Sequence, residues 1–182
     1  MKGGRAVLLV LALFALAAPG RASAQQEASG RMPVWLTFGV GPFRDYEPRV
    51  FAGHDPNALA LTGHVSVATR MGVLTGGVTT DLLDLDTNAD HAYGIDLLWG
   101  WRVTPGRGVY VAASTGVSGF HMQTYNGALG ADKTYTVGLP IAAQITATSR
   151  NLGFGGQFYT NLNHHRSFYA VTLLAQIGRI WP

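Results

Sequence analysis

His165 and Ser167 stand two apart in His165-Arg166-Ser167, so in extended chain they share a face, the spacing that a base and its nucleophile need. They are the candidate catalytic pair. A second group of chemistry-bearing residues is formed by His54, His91, His121, His164 and His165, which fall in or beside four long polar connections, with Asp55 and Asp90 nearby. Imidazoles gathered at one mouth are candidate ligands for Zn²⁺ or Cu²⁺, although no spaced ligand motif accompanies them. The run from Asp81 to Asp90 carries Asp81, Asp84, Asp86 and Asp90, but lacks the central glycine and closing glutamate of an EF-hand loop and reads as a solvated acidic loop. Gly76-Gly77 and Gly153-Phe154-Gly155-Gly156 precede no helix, so they are expected to relieve crowding in bent strands rather than to cradle phosphate. The chain has no cysteine, which excludes disulfides and thiolate metal sites, and nothing in it calls for a cofactor.

What positions these residues begins with the ends of the chain. Lys2 and Arg5 precede an apolar run, Ala6 to Ala18, followed by Pro19-Gly20 and Ala22-Ser23-Ala24. This is the three-part plan of a secretory signal peptide, with cleavage expected after Ala24. The apolar run is shorter than the roughly 20 residues a helix needs to cross a bilayer. Residues 25–32 read as a disordered lead-in, and 33–182 as one domain. With Lys2, Arg5 and Arg21 gone, the 13 Lys and Arg fall to ten and match the ten Asp and Glu, so the pI of about 9.4 mostly reports the signal. No basic face for nucleic acid is expected.

From Pro33 onward the period is two. Tyr93, Ile95, Leu97, Trp99, Trp101 and Val103 alternate with Gly94, Asp96, Leu98, Gly100 and Arg102. The same alternation marks Val109–Ser118, Thr134–Ala147 and Tyr169–Gly178, and a weaker one marks Val34–Gly41, Ala58–Thr69, Met71–Thr80 and Leu152–Thr160. Eight strands follow, each near the 9–11 residues of a tilted membrane strand. The facing of Val34–Gly41 is left open, since glycine and threonine blur its alternation.

Connections alternate in length. Pro42–Asn57, Asp81–His91, Gly119–Lys133 and Asn161–Arg166 each exceed their neighbours Thr69–Gly72, Thr104–Gly108 and Ser149–Asn151. In a meander barrel the odd connections emerge on one side and the even ones on the other, so the sorting implies loops outside the cell and turns in the periplasm. Tyr93, Tyr135, Phe158 and Tyr169 fall at the long-loop end of the apolar face, and Trp101, Phe154 and Trp181 at the short-turn end, as two interfacial girdles would.

The signal peptide, alternating runs such as Tyr93–Val103 and Tyr135–Ala147, the sorted connections and the closing run Tyr169–Trp181 resemble the small outer-membrane barrels of the OmpA and OmpX type. The resemblance implies an all-β, eight-stranded antiparallel up-and-down transmembrane barrel in the bacterial outer membrane. Its implied partners are outer-membrane lipid, lipopolysaccharide, the barrel-assembly machinery and an extracellular ligand at the long loops. Such barrels usually end on an aromatic residue; here Pro182 follows Trp181. Their implied role is structural or surface-interacting rather than enzymatic. If the apolar face meets lipid, Thr62, His64, Ser66, Asp96, Arg102, Ser114, Gln144, Gln157, Tyr159 and Gln176 point into a packed lumen. Asp96 and Arg102, six residues apart on one strand, are about 20 Å apart and need partners from other strands. Two alternatives stand beside this reading. One is a lipid A modifying hydrolase, since some eight-stranded lipid A deacylases use a similar His-x-Ser pair; here Phe168-Tyr169-Ala170 follow Ser167 where those enzymes have Asn-Ala-Gly. The other is a soluble lipocalin-like barrel with an apolar ligand inside, which would leave Gly94, Asp96, Gly100 and Arg102 in water.

Overall fold

The computed structural model describes residues 32–46, 59–81, 91–106, 108–125, 131–149, 151–165 and 167–180. Eight strands run in chain order: β1 Val34–Asp45, β2 Leu59–Thr69, β3 Gly72–Asp81, β4 His91–Gly106, β5 Val109–Tyr125, β6 Ala131–Thr148, β7 Leu152–Asn163 and β8 Phe168–Gly178. Each pairs antiparallel with the next, and β1 pairs with β8, so the sheet closes. Closure leaves no edge whose amides and carbonyls would lie unpaired in hydrocarbon. The proposed signal peptide, the lead-in up to Arg31 and the closing residue Trp181 fall outside the described residues.

Period two becomes two surfaces. Val34, Leu36, Phe38 and Val40 of β1, Ile95 and Leu97 of β4, Val137 and Leu139 of β6, and Leu173 and Ile177 of β8 all lie exposed on the outer wall. An apolar belt that surrounds the molecule far exceeds the patch a water-soluble monomer tolerates, and it matches a hydrocarbon environment. The facing of β1 is now fixed: Trp35, Thr37 and Phe43 are buried inside, while the alternate apolar side chains face out.

The inner wall accommodates its large side chains by placing glycine opposite them. A Cβ on Gly77 would collide with the His64 ring, and one on Gly94 with the Phe120 ring. Pro140 in β6 has no amide to donate; the β5–β6 pairing lapses between Thr115↔Ile141 and Ser118↔Gly138, and Thr115 Oγ1 donates to the Pro140 carbonyl at 2.9 Å. Gly108, in the tight β4–β5 turn, has φ +75°, a conformation that favours glycine.

The connections keep their sorting but are shorter on the outer side than the sequence suggests. The segment Gly119–Lys133, expected as a loop, is mostly strand: Phe120↔Thr136, His121↔Tyr135 and Gln123↔Lys133 continue the β5–β6 ladder as far as Tyr125↔Ala131. The reason lies in facing. Beyond Gly119 the buried side chains Phe120 and Met122 point inward while His121 and Gln123 point outward, so the outer face turns polar and the apolar-out signal disappears.

Candidate functional site

Two apolar clusters plug the ends of the lumen. At the long-connection end, Phe168 of β8 packs against Phe43 at a ring separation of 4.5 Å, Phe120 at 4.9 Å and Tyr159 at 5.9 Å, with Ala60, Ala92 and Met122 in the same cluster. At the short-turn end Trp35, Ala68, Val73, Tyr110 and Ile180 form the second. Arg102 lies over the Trp35 ring at 5.3 Å and donates through Nη1 to the Ile180 carbonyl at 2.7 Å. Its stem thus covers apolar surface while its charge finds a ring face and a carbonyl.

Between the plugs the lumen is a hydrogen-bonded layer. Asp96, only 2 % exposed, accepts from Tyr159 OH at 2.8 Å on one carboxylate oxygen and from Thr79 Oγ1 at 3.0 Å on the other. Nε2 of His64 lies 3.9 Å from the same carboxylate. From Tyr159 the chain continues along β7: Asn161 Nδ2 donates to Ser118 Oγ at 2.5 Å and to Tyr159 OH at 3.4 Å, and Asn163 Nδ2 donates to Asn161 Oδ1 at 3.3 Å. One layer toward the short-turn end, Gln144 donates to Tyr110 OH at 3.0 Å, Tyr110 donates to Gln176 Oε1 at 2.5 Å, and Gln176 donates to Thr37 at 3.2 Å. These side chains come from β6, β5, β8 and β1, so the tie crosses the lumen.

The expected lumen residues His64, Asp96, Arg102, Gln144 and Gln157 therefore all sit on the inner wall. Gln157 is buried, and its Oε1 has no hydrogen-bond partner. It lines a cavity of about 30 Å³ together with His64, Ser66, Thr75 and Gln144. That is room for about two water molecules among polar groups, and far too little for an apolar ligand. Lumen residues beyond that expected list include Tyr110, Thr79, Ser118, Thr37 and Asn161. The inward parity of Tyr110 was readable from its neighbours; the cross-lumen partners were not.

Of the candidate catalytic pair, Ser167 is engaged with the backbone of Asn163 and His165 stacks edge-on to His164. Ser167 Oγ donates to the Asn163 carbonyl at 3.0 Å and accepts from the Asn163 amide at 3.1 Å, so the hydroxyl is committed to closing the β7–β8 turn. His165 is exposed, its ring 5.3 Å from that of His164 and its amide bonded to Asn163 Oδ1 at 3.0 Å.

Of the candidate metal ligands, His164 and His165 lie in the β7–β8 connection. His121 belongs to β5, on the outer wall, with its ring between Tyr93 at 4.7 Å and Tyr135 at 4.6 Å. His54 and the side chain of His91 lie outside the described residues, as does most of the Asp81–Asp90 loop, although the backbones of His91 and Asp81 belong to β4 and β3. Among the described residues no three His, Cys, Asp or Glu side chains stand close enough to hold a metal ion. His91 and His121, expected in or beside the long connections, thus belong to strands.

Comparison with known proteins adds the fold relationship. No family model matches the chain, and no curated protein does. Among solved structures it is similar to the N-terminal β-barrel domain of Pseudomonas aeruginosa OprF, at 12 % identity and TM-score 0.57, covering 81 % of this chain and 99 % of that one. It is also similar to Neisserial surface protein A, at 8 % identity and TM-score 0.60, covering 80 % and 96 %. A third is Ail, the attachment invasion locus protein of Yersinia pestis, at 10 % identity and TM-score 0.60, covering 82 % and 99 %. At these identities the likeness speaks to architecture. The chain has the closed, eight-stranded antiparallel fold of the small outer-membrane barrels.

Proposed function

We propose that this chain is a non-enzymatic outer-membrane barrel that presents its long connections at the cell surface, with a structural or surface-contact role. The observation that carries the reading is the division of the barrel into a lipid-compatible outer wall and a lumen filled by side chains from end to end. Such a lumen supports neither transport of a substrate nor storage of an apolar ligand, which leaves the loops and outer wall as the working surfaces. The commitment of Ser167 to its turn weighs against a lipid A hydrolase. An extracellular ligand at the loops is part of the same reading; one structure similar to this chain, that of Ail, is a complex with the heparin analogue sucrose octasulfate.

Export through a signal peptide cleaved after Ala24 completes the proposal, with the assembly machinery and outer-membrane lipid as partners. Expression in a Gram-negative host tests it. The mature chain should fractionate with outer membranes, begin at Gln25 by intact mass, and migrate faster on gels before boiling than after. Recovery as a soluble monomer without detergent overturns the membrane reading. Lipid A whose acylation changes with the wild-type chain but not with Ser167→Ala overturns the non-enzymatic one.

A further inference from the structure

We infer that the outer wall of β4, β5 and β6, at the long-connection end, binds the phosphorylated headgroup of a glycolipid in the outer leaflet. The inference rests on the membrane-spanning reading above and adds a site and a ligand chemistry to it. Register places Tyr93, His121 and Tyr135 side by side across the three strands, with the His121 ring stacked on Tyr93 and meeting Tyr135 edge to face. One row further out, Gln123 is paired with Lys133. Diagonal neighbours on one face of a sheet lie within reach of long side chains, so Lys133 and His121 border the same patch.

The depth of the patch follows from the change of polarity along β5. Ile95, Val117 and Val137 immediately below it are exposed and apolar, whereas His121, Gln123 and Lys133 above Gly119 are polar and face the same way. This is where hydrocarbon gives way to headgroups, and where tyrosine, apolar in body and polar at its tip, is favoured.

The chemistry offered there is specific. Lys133 is exposed and lies on the same outer face as Tyr135, one row beyond the His121–Tyr135 pair. A compact ammonium with three donors suits a phosphate monoester. Tyr135, 74 % exposed, and Tyr93, 50 % exposed, offer broad ring surface to the C–H face of a sugar. Nδ1 of His121 is covered and has no hydrogen-bond partner, so hydrogen bonding by that ring falls to its Nε2 edge.

The test uses the full mature barrel in a neutral detergent. Diphosphoryl lipid A, its dephosphorylated form and inorganic phosphate are compared by native mass spectrometry of the retained lipid. Diphosphoryl lipid A should be retained in preference to the dephosphorylated form. Lys133→Ala should weaken retention about fivefold, Lys133→Glu and His121→Ala should weaken it in the same direction, and Arg70→Ala in the exposed β2–β3 turn should leave it unchanged. Equal retention by wild type, Lys133→Ala and Lys133→Glu overturns the site, as does equal binding of the dephosphorylated lipid or full competition by inorganic phosphate. Each variant is first checked for heat-modifiable migration. A barrel that passes that check without lipid preference refutes this site alone, whereas a soluble chain refutes the membrane reading beneath it.

Discussion

Asp96 shows how one side chain can hold a barrel interior in register. Its carboxylate draws hydroxyls from Thr79 on β3 and Tyr159 on β7 and has His64 of β2 beside it, so three other strands meet on one residue of β4. A buried hydrogen bond to a charged group contributes about 1.5–3 kcal/mol, and the loss of one partner strands the other. Tyr159→Phe is therefore expected to lower stability by about 2 kcal/mol, read as a lower urea midpoint of refolded barrel in lipid vesicles with an unchanged slope. Asp96→Ala, which orphans both hydroxyls, should cost more than Tyr159→Phe. The double variant should cost less than the sum of the two, because the Tyr159 bond is removed in both. Additive effects would mean that Tyr159 and Asp96 do not act as a pair. That Asp96 faces inward was legible from the alternation of Tyr93–Val103. Its partners were not, because they lie on strands whose pairing heights no local pattern encodes.

The strands themselves were most legible where the outer face is purely apolar, and least legible where the inner face is apolar too. In β1 the apolar belt of Val34, Leu36, Phe38 and Val40 alternates with the inward plug residues Trp35 and Phe43, so the pattern has two apolar faces and its facing could not be read. In β5 the polarity inverts at Gly119, and strand was taken for loop; the misplacement of His121 at the mouth follows from that single inversion. The inversion also defines where lipid ends, which makes the cost of a charge depend on its height. Leu97→Arg, at the middle of the apolar belt of β4 between Tyr93 and Trp101, is expected to destabilise by about 2–4 kcal/mol, and Gln123→Arg, beyond the inversion, by about 0–1 kcal/mol. Urea unfolding from vesicles measures both. Equal costs would place the edge of the hydrocarbon elsewhere than at Gly119.

At the scale of the whole molecule, the question is whether a closed sheet of eight strands is also a closed channel. Backbone closure says nothing about this, because the sheet is a tube whose bore is decided by what fills it. Obstructions lie in series: Phe168 with its aromatic neighbours at the long-connection end, the Tyr110–Gln176 tie further in, and, beside Tyr110, Trp35 with Arg102 and Ile180 at the short-turn end. Obstructions in series mean that opening one leaves the path shut. Wild type and Phe168→Ala should accordingly show no steady current in planar bilayers, even though truncating a buried aromatic costs about 3–5 kcal/mol of stability. Phe168→Ala combined with Tyr110→Ala and Trp35→Ala should conduct, provided heat-modifiable migration shows that the triple variant still folds. Where the triple variant is too unstable, Phe168→Ser, Tyr110→Ser and Trp35→Ser can be introduced in a barrel first stabilised by more apolar lipid-facing residues. Steady current through the wild type at the level of the triple variant would mean that these side chains do not seal the bore, and the surface-presenting role would lose its main support.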